Sequence, residues 1–181
     1  MGSAYDDISP DLAAWIGEQP MFFVGTAPSG SEGHVNVSPK GLDTLRVLGP
    51  RRVVYLDLTG SGVETIAHLR DNGRVTLMWC AFSGNPQIAR VYGRGTVHPA
   101  GTPEYDELAA HFPELPGRRS VIDVDVDLVS TSCGYAVPEM EYVGERSRLI
   151  SWAEKKGEDG VVAYWGTKNA KSIDGLPGLG A

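Results

Sequence analysis

The stretch Thr59-Gly60-Ser61-Gly62-Val63-Glu64-Thr65 combines the parts of an anion cradle. It leaves an apolar run, turns on glycines and opens a helical pattern. Free backbone N–H groups and the positive end of a helix dipole are therefore expected to converge on one concavity. Gly60 and Gly62 would let a ligand approach the backbone, while Thr59, Ser61 and Thr65 offer hydroxyls. This is no dinucleotide fingerprint, because Thr65 stands where the third glycine belongs. Nor is it a P-loop, since no Gly-Lys-Ser/Thr follows. The plain alternative is a helix start after a glycine turn, with Ser61 and Glu64 spaced as a capping box. A second candidate is Ser38-Pro39-Lys40-Gly41. Pro39 stiffens the chain and Gly41 permits a turn, so Lys40 can be held over a ligand as a point charge.

Other constellations carry less chemistry. Asp123, Asp125 and Asp127 begin like a calcium loop, but Leu128 fills the sixth position, where that loop needs glycine. Their alternation with Ile122, Val124 and Val126 explains them as the wet face of a strand. His34, His68, His98 and His111 form no i, i+4 pair and adjoin no cysteine, so no metal site is expected. No Gly-x-Ser-x-Gly singles out a serine nucleophile.

The elements that must position these residues can be read from periodicity. Ser9-Pro10 opens a helix with Leu12, Trp15 and Ile16 on one face, stopped by Pro20. Strands are expected at 21–27, 34–37, 52–58, 75–82, 88–97 and 120–130, and helices at 63–72 and after Thr102-Pro103. Two helical patches, 146–156 and 158–171, precede a glycine-rich tail, 172–181. The expectation is a mainly β fold of about six mostly antiparallel strands. They close into a small β-barrel with flanking helices and a helical C-terminal extension from about 140 to 181. The first two strands are joined too tightly for the crossover helix of a doubly wound sheet.

Composition bounds the rest. With 181 residues, 41% apolar and 22% charged, the chain can bury the core of a single domain spanning 1–181. Its 23 glycines, nearly twice the average share of about 7%, point to many tight turns. A net charge of −7 makes nucleic acid or an anionic membrane a poor partner. The longest apolar run, 75–82, is far short of the ~20 residues a spanning helix needs. The start Met1-Gly2-Ser3-Ala4-Tyr5-Asp6-Asp7 carries acid rather than base, so a cytoplasmic location is expected. Cys80 and Cys133 read as two reduced thiols.

Several ordered segments resemble the FMN-binding split-barrel family that includes the pyridoxamine 5′-phosphate oxidases. These are Val35-Asn36-Val37-Ser38-Pro39-Lys40-Gly41, the strand–Thr59-Gly60-Ser61-Gly62–helix passage, Asp71-Asn72-Gly73-Arg74-Val75-Thr76-Leu77-Met78-Trp79 and Arg90-Val91-Tyr92-Gly93-Arg94-Gly95. The C-terminal Ser132-Cys133-Gly134-Tyr135 and the stretch from Asn169 look like an actinobacterial-type subgroup.

The resemblance implies a homodimer holding FMN in each of two clefts between subunits. By position, Ser38 and Lys40 would face the flavin and Thr59 would lie beside the ring or ribityl chain. Glu64 and Thr65 stand where family members often place basic phosphate ligands, which is a departure. The phosphate is therefore expected on the N–H groups of Gly60, Ser61 and Gly62 and on the Ser61 and Thr65 hydroxyls, with Lys40 or Arg90 as compensating charge. FMN is expected in preference to FAD. The implied activity is an oxidoreductase moving hydride or electrons to or from a small molecule, with a nicotinamide as possible donor. A deazaflavin-dependent reductase of the same fold, or a non-catalytic flavin- or haem-binding protein, are the rivals. Pyridoxamine 5′-phosphate oxidase activity itself is not expected, because no basic residue follows Lys171.

Overall fold

The computed structural model describes residues 2–179. Its elements are β1 (Ser3–Tyr5), α1 (Pro10–Glu18), β2 (Phe22–Thr26), β3 (Asn36–Lys40), β4 (Leu45–Gly49), β5 (Arg52–Leu58), α2 (Glu64–Asn72), β6 (Arg74–Cys80), β7 (Ile88–Pro99), α3 (Pro103–Ala109), β8 (Arg118–Ser132) and α4 (Arg148–Lys168). The strands pair in the order β3-β2-β6-β7-β8-β5-β4, with β1 added against β8. Every pairing between them is antiparallel.

Alternation decides what each strand buries. Val24, Leu77, Val91 and Val129 lie in register across four strands and are fully buried. Their neighbours one residue along face outward, in the register Val37–Gly25–Thr76–Tyr92–Leu128. The inner face wraps a core that α1 and α2 close, with Phe22 against Tyr55 and Trp79 at ring-centroid distances of 5.5 and 6.1 Å. A second, smaller core holds α3 on the other side of β5 and β8 through Val54, Leu56, Leu108 and Phe112. The barrel stays split between its two edge strands, β3 and β4.

The expected mainly β barrel stands, with eight strands in place of six. β1 escapes periodicity because its three residues are exposed and exist as a strand only through β8. β4 escapes it because its residues are nearly all half-buried, without alternation, and its pairing to β5 slips between Val47 and Gly49. β3 runs over 36–40 rather than 34–37, so Ser38-Pro39-Lys40 lies inside a strand instead of closing one. Pro39 is tolerated there because β3 is an edge strand. The expected capping box is absent: the α2 N-cap is Val63, with no side-chain cap. α4 is two helical halves broken at Gly157, whose φ of 67° and ψ of 168° are non-helical.

Candidate functional site

Asn36, Ser38 and Lys40 form a polar row on the inner side of β3, opposite Thr26, Val24 and Phe22. In a fully paired strand this row would be buried. On the edge strand it stays half-exposed and faces across the split. Asn36 Nδ2 donates to Ser38 Oγ at 3.0 Å and to Thr65 Oγ1 at 3.3 Å, tying β3 to the first turn of α2. Lys40 Nζ donates to Asp57 Oδ1 at 3.3 Å.

Asp57 has no exposed surface, so its charge must be answered inside the protein. Arg119 Nε donates to Oδ2 at 2.5 Å and Ser120 Oγ donates to it at 3.3 Å. Burial alone would raise the Asp57 carboxyl, but the Arg119 guanidinium and Lys40 ammonium outweigh it and hold it below the ordinary carboxylate value. Arg119 continues the network, donating through Nη1 to Gly62 O at 2.9 Å and to Asn169 Oδ1 at 3.1 Å.

The glycine turn is closed from behind by the chain's own C-terminal part. Asn169, fully buried, donates from Nδ2 to Gly60 O at 3.2 Å and to Gly62 O at 3.3 Å. Thr59 is buried: its Oγ1 donates to Gly117 O at 2.7 Å and accepts from Trp165 Nε1 at 2.8 Å. Thr59 therefore has no hydroxyl proton left for a ligand, contrary to expectation. From the front, the Glu64 carboxylate folds over Gly62, where an added methyl group would collide with Oε2. Its other oxygen accepts from Ile173 N at 3.1 Å. The Glu64 carboxylate thus lies over the glycine turn where the cradle of Gly60, Ser61, Gly62 and Thr65 is expected.

A family model described as pyridoxamine 5′-phosphate oxidase matches residues 8–133. The chain belongs to this family. A curated relative, the pyridoxamine 5′-phosphate oxidase family protein ustO of Aspergillus flavus, is 40% identical over 194 residues, covering 97% of this chain and 77% of the relative. Among solved structures, a HupZ variant of Group A Streptococcus shares the fold at TM-score 0.56 and 18% identity, covering 69% of this chain and all but 1% of its own. A Lactobacillus delbrueckii protein named after the same oxidase gives TM-score 0.52 and 19% identity, covering 69% of this chain and 94% of its own. The family match ends at Cys133, so Asn169, Trp165 and Ile173, which lock the glycine turn, lie beyond it.

Of the expected site residues, Ser38, Lys40 and Thr65 come together along the split. Arg90 does not join them. It pairs with Met78 and Ser130 and points from the outer face of the sheet, opposite to the side from which Lys40 projects. Ser61 is exposed at the tip of the turn. Beside Lys40 opens a cavity of about 440 Å³, lined by Met21, Pro39, Leu42, Tyr142 and Leu149 together with Glu145, Arg146 and Arg148. The structure adds Asn36, Asp57, Arg119 and Asn169. Two of these had a signal in the sequence: Asp57 interrupts an apolar strand, and Asn36 repeats the spacing of Ser38 and Lys40.

Proposed function

We propose that the protein is a flavin-binding oxidoreductase that works on a small molecule, with a nicotinamide as electron donor. The observation that carries this reading is the Lys40 cavity at the end of the Asn36–Ser38–Lys40 row, in a chain of this family. Its volume lies in the range of small-molecule sites. Apolar walls suit a flat ring system, and Lys40 suits the ring's polar edge, with Ser38 and Asn36 along the attached chain. A bound flavin supplies the hydride and electron chemistry, while these side chains bind and orient it. Lys40 is held in place by Asp57, so its ammonium is positioned before any ligand arrives. Oxidation of pyridoxamine 5′-phosphate lies outside the proposed activity, and a homodimer is the proposed working unit.

The deciding experiment is to release the chromophore that purifies with the protein, or that it takes up on reconstitution, and identify it by spectrum and mass. A flavin reducible by NADH or NADPH supports the reading. A deazaflavin or haem, or a flavin that no nicotinamide reduces, sinks it. Lys40→Ala should weaken flavin binding about tenfold or more, as loss of a charge-assisted contact does.

A further inference from the structure

We infer that Glu64 takes the place of a ligand phosphate at the start of α2 and makes the site selective for a flavin without a terminal phosphate. The inference rests on the flavin reading above. The polar row sets the direction of the ligand. From Lys40 through Ser38 to Asn36 the row covers four residue steps of extended chain, about 14 Å. Asn36 then bonds to Thr65 in the first turn of α2. A ligand with its ring edge at Lys40 and its chain along this row therefore ends at Glu64.

A helix start ordinarily welcomes an anion, through free N–H groups and the positive end of the dipole. Here the anion is built in. Glu64 covers Gly62 and is fixed by the Ile173 amide. The next residue after Ile173, Asp174, is fixed by His34, which donates from its backbone N at 2.8 Å and bonds through Nδ1 at 2.7 Å. Arg119 is paired with Asp57, and Arg70 donates to the Gly178 carbonyl. The carbonyls of Gly60 and Gly62 face Asn169 and Arg119. An arriving phosphate would meet the Glu64 carboxylate at short range. A terminal hydroxyl, in contrast, is a donor and can bond to the Glu64 carboxylate.

The test is titration of the apo protein with riboflavin and with FMN, read by quenching of flavin fluorescence. Riboflavin is expected to bind at least about tenfold more tightly than FMN at low salt, and the gap should narrow as ionic strength rises. Glu64→Gln should improve FMN binding relative to riboflavin about tenfold, because it removes the repelling charge and weakens the acceptor for the riboflavin hydroxyl. FMN binding as tight as riboflavin or tighter in the unsubstituted protein overturns the inference and leaves the flavin reading standing. Binding of neither flavin overturns both. The salt series needs no variant, so it decides even where Glu64→Gln fails to fold.

Discussion

Asp57 is where the stability and the chemistry of the split meet. Its carboxylate is buried between Arg119, Lys40 and Ser120, and Arg119 also anchors Gly62 and Asn169. Replacing it leaves two cations without their counter-charge, one of them buried. Asp57→Ala should therefore cost about 3–5 kcal/mol, measured by denaturant unfolding at neutral pH. The pH dependence has a definite sign. The folded carboxyl sits below its ordinary value, so the unfolded chain takes up the proton first. Its stabilisation is complete above the unfolded pKa of about 4 and is lost as pH falls through the lower folded value. Asp57→Asn should flatten that acid limb, and an unchanged limb would remove Asp57 from the account. At this scale the sequence was half legible. Lys40 could be singled out from its neighbours Pro39 and Gly41, but its partner lies 17 residues away on a strand that only the fold brings near. Thr59 misleads for the same reason: its hydroxyl looks free until Trp165, 106 residues on, claims it.

Elements were legible where they carry their own pattern. β8 alternates Ile122, Val124 and Val126 against aspartates, and the two-part C-terminal helix shows its break as Gly157. What periodicity lacks is the partner, and so β1 and β4 passed unread. α4 permits a paired test of its two kinds of glycine. Gly157 has φ of 67°, a conformation that costs any residue with a Cβ. Gly166 lies in the helical second half, and an added methyl group there would meet nothing within 4 Å. Gly157→Ala should lower stability by about 1–2 kcal/mol, whereas Gly166→Ala should raise it by about 0.4–1 kcal/mol. The two shifts in thermal unfolding must have opposite signs. The same contrast applies to the helix start, because sequence spacing offered Ser61 and Glu64 as a capping box. The tail's Ile173 amide instead draws Glu64 away, a contact across 109 residues that no local pattern encodes.

On the scale of the whole molecule, one face remains to be accounted for. The outward register Val37–Gly25–Thr76–Tyr92–Leu128 and the parallel register Pro39–Phe23–Met78–Arg90–Ser130 form a continuous sheet surface. It leaves Val37 63% and Leu128 39% exposed, with Val35 74% exposed at its margin. The exposed apolar side chains stand at the two ends of this face, with Gly25, Thr76 and Tyr92 between them, and the face is our candidate interaction surface. A second copy of the chain is the occupant we expect. A twofold interface uses the same patch of both copies, and Pro39 on the edge strand discourages strand-to-strand pairing instead. Such an interface would also bring Arg90, which is remote from Lys40 within one chain, to the seam between two chains. Sedimentation at micromolar concentration should show a dimer of two 19.4 kDa chains. Val37→Lys places a charge in this face without touching the core, since Val37 faces away from Val24 and its buried row. It should shift the equilibrium toward monomer by about tenfold or more while leaving the unfolding midpoint of the monomer within about 0.5 kcal/mol of the original. A protein that sediments as a monomer throughout this range, or a Val37→Lys variant that dimerises unchanged, would show that this face is not where the two copies meet.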